Sequence, residues 1–442
     1  MTKRACLAGA ATLLFSGHVF AEGRGFADDV IAPAIHSVVE LRGFCVASTA
    51  RRDRFAISHL EDSDRTLTLA DDLLRVASAT RQAGQDNPAS SYKDLWERLR
   101  AGFGLPVRSD RLVARHEAWY LKHPQHLQRT IERGRRYLYF VAEEVEKRGM
   151  PTEIALLPII ESAYNPEAYS RMRAAGMWQF IPVTGRRYGL EQNAWYDGRR
   201  DVLAATHAAL DYLQFLYDTF GDWELALGAY NWGEGAMQRA IAHNHALHRS
   251  TSYSRLRMPN ETRNYLPRLI ALRNVILNAG SLGVKLESIP NRPYFTVVKS
   301  PGNIEVVKAA QLANVPVEEF RSLNPGYSRP VILRGFEHEI VLPIDSVEEF
   351  HTNLAGHADP LLAWQQYVVK RGDSLRKIAV EFKISVERLR EINGIRAHKR
   401  VQSGSVLLVP SMLERTDDAR DDYDDSNLRE ISRNGAMRSF GS

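Results

Sequence analysis

From about Val107 to Gly283, apolar residues recur every three or four positions, the spacing that lines one face of a helix. Leu138, Val141, Ala142 and Val145 form one such stripe, stopped by Gly149. Leu203, Ala204, His207, Ala208, Leu210 and Asp211 follow a second, and Leu266, Leu269, Ile270, Arg273 and Ile276 a third. Pro151 suits the first position of a helix running to Glu161, and Asn165-Pro166 break the chain after it. These periods predict a mainly α domain over residues 105–285. Upstream, residues 22–104 mix polar and apolar segments around a Gln/Asn/Ser-rich stretch from Gln82 to Ser91, followed by Tyr92-Lys93-Asp94-Leu95-Trp96, and read as a helical or partly disordered extension.

Beyond Pro290 the pattern changes to short β-branched runs between turns, and it repeats. Phe295 to Val298, Gly302-Asn303-Ile304, Asn324-Pro325 and Ile340 to Pro343 recur in order as Tyr367 to Val369, Gly372-Asp373-Ser374-Leu375, Asn393-Gly394 and Leu407 to Pro410. Ile304 to Leu375 is an offset of 71, and Asn324 to Asn393 one of 69, which predicts a duplicated βααβ unit over 292–346 and 364–411. Residues 412–442, dense in aspartate, lack a core-forming pattern and read as a disordered tail.

Length and charge narrow the class. The 442 residues, 44% of them hydrophobic, suffice for several domains. Lys3 and Arg4 precede an apolar stretch from Ala5 to Phe20, and the small residue Ala21 follows, so residues 1–21 read as a secretory signal and the mature chain as exported to the periplasm. No later run reaches the length of a transmembrane helix. Of the two cysteines, Cys6 falls inside that signal, so no disulfide is expected, and neither context resembles a lipobox. The net charge of +5 is spread through the chain, which argues against nucleic acid and suits an anionic polymer. His243, His245 and His248 lack metal-ligand spacing and read as a polar loop; no metal or other cofactor is expected.

The chemistry centres on Glu161, which ends the apolar run Leu156-Leu157-Pro158-Ile159-Ile160. A carboxyl buried among aliphatic side chains keeps its proton near neutral pH and can give it to a leaving oxygen, the first step of glycosidic cleavage. Glu167, Asp197, Asp201 and Glu234 are candidates for a second carboxylate; Asp197 and Asp201 flank Arg199-Arg200 and read as ion-paired scaffold, and Glu234 as part of a Gly-Glu-Gly turn.

The succession Glu161-Ser162, Gly176-Met177-Trp178-Gln179, Ala229-Tyr230-Asn231-Trp232-Gly233 and Glu261-Thr262-Arg263-Asn264-Tyr265 resembles the lytic transglycosylases of the soluble lytic transglycosylase superfamily. The resemblance covers the chain from about Tyr92 to Pro410. It implies a lysozyme-like α fold for 105–285, with Glu161 as catalytic acid and base, and Ser162, Met177, Gln179, Tyr230, Asn231 and Tyr265 as substrate-cleft residues. It also implies cleavage between N-acetylmuramic acid and N-acetylglucosamine with closure of a 1,6-anhydro ring. The second repeat is similar to LysM modules, which implies glycan binding through Gly372, Asp373, Ser374, Leu375, Asn393 and Gly394. The first has Gly302-Asn303-Ile304 at the corresponding turn and is a degenerate LysM-like unit. Implied partners are peptidoglycan strands, with cell-wall synthesis or remodelling proteins as further candidates and an outer-membrane or cell-wall association. Two other readings stay open: a hydrolytic muramidase on the same fold, which needs a positioned water, and a non-catalytic peptidoglycan-binding scaffold.

Overall fold

The computed structural model describes residues 91–411 apart from 334–338, 359–360 and 363. The expected signal, the extension up to residue 90, the tail and both cysteines lie outside the described residues.

The first helix, α1 (Leu95–Ala101), is capped by Asp94, whose carboxylate accepts from the Trp96 amide at 2.7 Å. Leu95, Trp96 and Leu99 enter the main core, and Arg98 pairs with Glu146 at 2.6 Å. The expected division gave this helix to the extension; its packing makes it part of the α domain, because a seven-residue helix with so wide an apolar face needs another surface to cover it. Then come α2 (Arg111–Lys122), α3 (Pro124–Gly134) and α4 (Leu138–Lys147). Gly149 turns the chain with φ of 62°.

A single helix was expected from Pro151 to Glu161. Instead a 3₁₀ turn, Thr152–Leu156, precedes a short α5 (Leu157–Ser162). Pro158 is the cause: it has no N–H to give to a carbonyl one turn back, so α-helical bonding cannot run through it unbroken. Helix α5 ends abruptly, with Ala163 and Tyr164 both left-handed at φ of 53° and 55°. For residues with a Cβ this conformation is strained, and it persists where packing dictates it. Here the Tyr164 ring is buried, stacks on Tyr137, and donates its hydroxyl to the Ala155 carbonyl at 2.8 Å.

Around α5 stand α6 (Pro182–Arg187), α7 (Val202–Phe220), α8 (Trp223–Trp232), α9 (Glu234–Ala246) and α10 (Asn260–Leu277). His243 and His245, expected in a loop, lie in the last turns of α9. Helix α10 packs along α2 and α8 and touches α5, which brings Tyr265 over Glu161.

The two repeats both fold as βααβ. In the first, β1 (Phe295–Lys299) pairs antiparallel with β4 (Glu339–Pro343), enclosing α11 (Val306–Leu312) and α12 (Val317–Leu323), with a short β2 (Ile304–Glu305) against β3 (Val331–Ile332) and a closing α13 (Val347–Ala355). In the second, β5 (Trp364–Val368) pairs with β6 (Val406–Pro410) around α14 (Leu375–Glu381) and α15 (Val386–Ile392). Each unit has a core of its own, the first around Val298, Ile304, Phe320 and Ile340 and the second around Leu375, Ile378 and Leu389, but Phe295, Leu323 and Val341 of the first also belong to the main core of the α domain. The second unit leans on the first through Val331 and Leu333, which meet Ile392 and Leu408 beside Trp195 of the α domain.

Candidate active site

Glu161 is only 5% exposed, although no cation among the described residues is bonded to it. Its bonded partner is Tyr265, whose hydroxyl donates to Oε1 at 2.5 Å. Burial pushes the carboxyl up to about 7; the Tyr265 hydrogen bond pulls it down, nearby Glu261 adds to the rise, and Arg268 opposes it. Near neutral pH the group is therefore divided between its protonated and ionised forms, able to give a proton and to take one. Tyr265 and Tyr230 are driven in the same direction, first by burial and then by the charge of Glu161, so both phenols stay protonated and act as donors.

The loop facing Glu161 is built from Gly176-Met177-Trp178-Gln179. Gly176 has φ of 81°, and a Cβ there would stand 1.8 Å from the Arg199 carbonyl oxygen, so no other residue fits. Arg199 in turn ties the loop together, donating to the carbonyls of Arg173 at 2.6 Å and Phe180 at 3.2 Å. Trp178 anchors it from inside through Thr206 at 3.0 Å. The expected cleft residues are gathered here, and their polar atoms are engaged with protein. Ser162 Oγ donates to the Met177 carbonyl at 3.0 Å and accepts from the Asn165 amide at 3.1 Å, joining the end of α5 to the loop. Gln179 Nε2 donates to Gly176 O at 2.7 Å, and Tyr230 Oη to Trp178 O at 2.9 Å. Asn231 accepts from Thr262 Oγ1 at 2.8 Å, and Met177 is wholly buried. In this geometry these side chains fasten the 176–179 loop to α5 and α8, and α8 to α10.

Of the four candidates for a second carboxylate, three are occupied elsewhere. Asp197 pairs with Arg199 at 2.7 Å, Asp201 caps α7 by accepting from the Ala204 amide, and Glu234, which opens α9, pairs with Arg187 at 2.8 Å. Glu167 is exposed. The acid that sequence reasoning missed is Glu261. It is half-buried, held by Asn231, raised chiefly by its own burial, and near enough to raise Glu161. Its position four residues before Tyr265 puts both on one face of α10, a signal available in the sequence.

In the second βααβ unit the expected glycan-binding positions divide. Asp373 accepts from Tyr367 Oη at 2.7 Å and from the Lys370 amide at 2.8 Å, which fixes the turn at Gly372 and exposes it. Ser374 caps α14 through the Lys377 amide, while Leu375 is in the core. Asn393 is an internal latch: Nδ2 donates to the carbonyls of Leu389 and Leu408, and Oδ1 accepts from the Leu408 amide at 2.7 Å. Asn324 makes the same three bonds in the first unit, to Phe320 and Val341. Gly394 abuts Arg329, whose Nη1 would be 2.0 Å from a Cβ there, while Arg329 Nε donates to the Ala194 carbonyl of the α domain.

Residues 139–252 match the Transglycosylase SLT domain, 294–359 the LysM-like domain of lytic transglycosylase MltD, and 367–410 the LysM domain. Membrane-bound lytic murein transglycosylase D of Escherichia coli strain K12 is 34% identical over 319 residues, covering 69% of this chain and 70% of that protein. A putative tributyltin chloride resistance protein of Alteromonas sp. strain M-1 is 46% identical over 111 residues, 25% of this chain and 54% of that one. Membrane-bound lytic murein transglycosylase C of Glaesserella parasuis serovar 5 is 28% identical over 149 residues, 30% and 41% of the two chains.

Proposed function

The chain belongs to the lytic murein transglycosylases that join a transglycosylase SLT domain to LysM-type units, and on that premise we propose that Glu161 performs its chemistry alone, first as acid and then as base. It is a peptidoglycan lytic transglycosylase. The observation that carries the role of Glu161 is a buried carboxyl held near pH 7 with a single phenolic donor.

Because Tyr265 donates to Oε1, the proton of Glu161 resides on Oε2. Oε2 gives it to the oxygen between N-acetylmuramic acid and N-acetylglucosamine. The bond from muramic C1 to that oxygen breaks, and the N-acetyl group steadies the positive charge left at C1. The carboxylate then takes the proton of the C6 hydroxyl as O6 closes onto C1. A 1,6-anhydro ring forms, Glu161 regains its proton, and no water is consumed. The rigid wall of Ser162, Met177, Gln179, Tyr230 and Asn231 supports this by holding the sugar beside Oε2. Mass analysis of fragments released from purified sacculi tests the reaction: ends one water lighter than hydrolytic products are expected, and predominantly reducing ends would transfer the chain to hydrolysis.

Residues 364–411 act as a tether for polymer, raising the effective concentration of the cleft on its substrate. Removing them lowers retention on insoluble sacculi while cleavage of short soluble glycans persists; equal retention with and without them would remove this role. The apolar stretch after Lys3 and Arg4 is the export signal, and the periplasm is the compartment where the substrate lies. Alkaline phosphatase fused after residue 21 becomes active only if that signal exports it.

A further inference from the structure

Helix α3 carries His126, Arg129 and Arg133 at spacings of three and four, which places them within about 60° of one another around the helix. Arg133, at the far end of this face, donates from Nη1 to the Ala163 carbonyl at 2.6 Å, two residues past Glu161. The face therefore runs up to the catalytic turn. At its near end the exposed His123 stacks on Trp119 at 4.5 Å, and His126 meets the same indole edge-on at 5.2 Å. Arg129 and Arg133 share one sign of charge, and His126 is kept from adding a third. Burial, then Arg129, His123 and Arg133, hold His126 below its ordinary range, and burial and Arg129 lower Arg133. The acid on this helix, Glu132, is paired with Arg135 at 3.0 Å, and no acid among the described residues is bonded to Arg129.

Mutual repulsion of this kind gains nothing for folding, and an anionic ligand relieves it. Peptidoglycan brings such a ligand to this place: the muramic acid residues cut at Glu161 carry peptide stems with free carboxylates. We propose that His126, Arg129 and Arg133 form a subsite for the stem-peptide carboxylates, so that the enzyme prefers peptide-bearing glycan to bare glycan. The proposal rests on the reading of the chain as a murein-cleaving enzyme.

The test compares kcat/KM of the full chain on glycan strands bearing their peptides with kcat/KM on the same strands stripped by an amidase. In Arg129→Gln with His126→Gln, the ratio of the two falls about tenfold, chiefly through KM on peptide-bearing strands, because charge-assisted hydrogen bonds are lost. Arg129→Lys keeps most of the preference, and added salt lowers the wild-type ratio more than that of the double variant. Arg133 is left intact because it supports Ala163. If the double variant loses its melting transition, Arg129→Gln alone, at an exposed position, carries the test. An unchanged ratio overturns the subsite. So does an unchanged ratio accompanied by release of the variant from phosphatidylglycerol vesicles, which would make the face a membrane contact. Absence of anhydro ends from wild type on both substrates would instead defeat the catalytic reading.

Discussion

Glu153 and Glu161 lie eight residues apart in one buried segment, and they have been given opposite environments. Glu153 is fully buried and accepts from the amides of Gly104 at 2.9 Å and Leu105 at 3.1 Å, with Arg273 at 3.4 Å completing a buried ion pair. Glu161 is buried almost as deeply and receives one hydroxyl. Burial alone therefore does not make an acid catalyst. A carboxyl supplied with donors and a cation is a structural anion, and a carboxyl denied them keeps its proton. The difference comes from what faces each residue: α10 presents Arg273 to the first and, two turns earlier, Tyr265 to the second.

The comparison breaks first at turnover. Glu161→Gln keeps the shape of the side chain and cannot cycle a proton, so kcat falls at least ~10²-fold with sugar binding retained; a folded variant with near wild-type turnover refutes the role. Glu153→Ala does the reverse. It leaves Arg273 and two amides without their acceptor in the core, and stability falls by about 3–5 kcal/mol, read from a denaturant titration. A loss under 1 kcal/mol would mean the pair is not buried as described.

A subtler contrast concerns pH. The carboxyl of Glu161 is raised in the folded chain, so its contribution to stability is complete below its ordinary 4.5 and is lost as pH rises to about 7. That span, at about 1.4 kcal/mol per pH unit, caps the loss at about 3 kcal/mol. Glu161→Gln should therefore melt higher than wild type at pH 8 and close to it at pH 4.5; the same difference at both pH values counts against a raised carboxyl. The smallest effect belongs to Tyr265→Phe. Removing the hydroxyl removes a pull on the carboxyl, so the alkaline limb of the pH–rate profile moves up by about one pH unit or less, and a downward move contradicts the assigned donor.

Much of this was legible in the sequence. The run before Glu161 announced burial, and the motif order gathered Met177, Gln179, Tyr230, Asn231 and Tyr265. The repeat after Pro290 gave both βααβ units, because the period-two strands and the Asn324 and Asn393 latches are local devices. What was hidden depends on contacts between distant segments. No pattern in the chain shows that Tyr265 Oη reaches Oε1, or that the polar atoms of Ser162 and Gln179 are already bonded to carbonyls. Nor does periodicity reveal that the first unit, which keeps a core of its own, also packs into the α domain. Its Phe295, Leu323 and Val341 look like ordinary strand and helix positions, yet Tyr137 donates to the Ser322 carbonyl and the Asp197 amide to that of Gly326 across the join. Glu261 stands out only once Tyr265 is placed over Glu161, although it shares one face of α10 with Tyr265.

A titration of Glu161 itself tests the account most directly. Infrared difference spectra between wild type and Glu161→Gln isolate the carboxyl band of this one side chain. The account predicts a protonated band that persists above pH 6 and disappears around pH 7; disappearance near 4.5, the ordinary value for a glutamate, would contradict it.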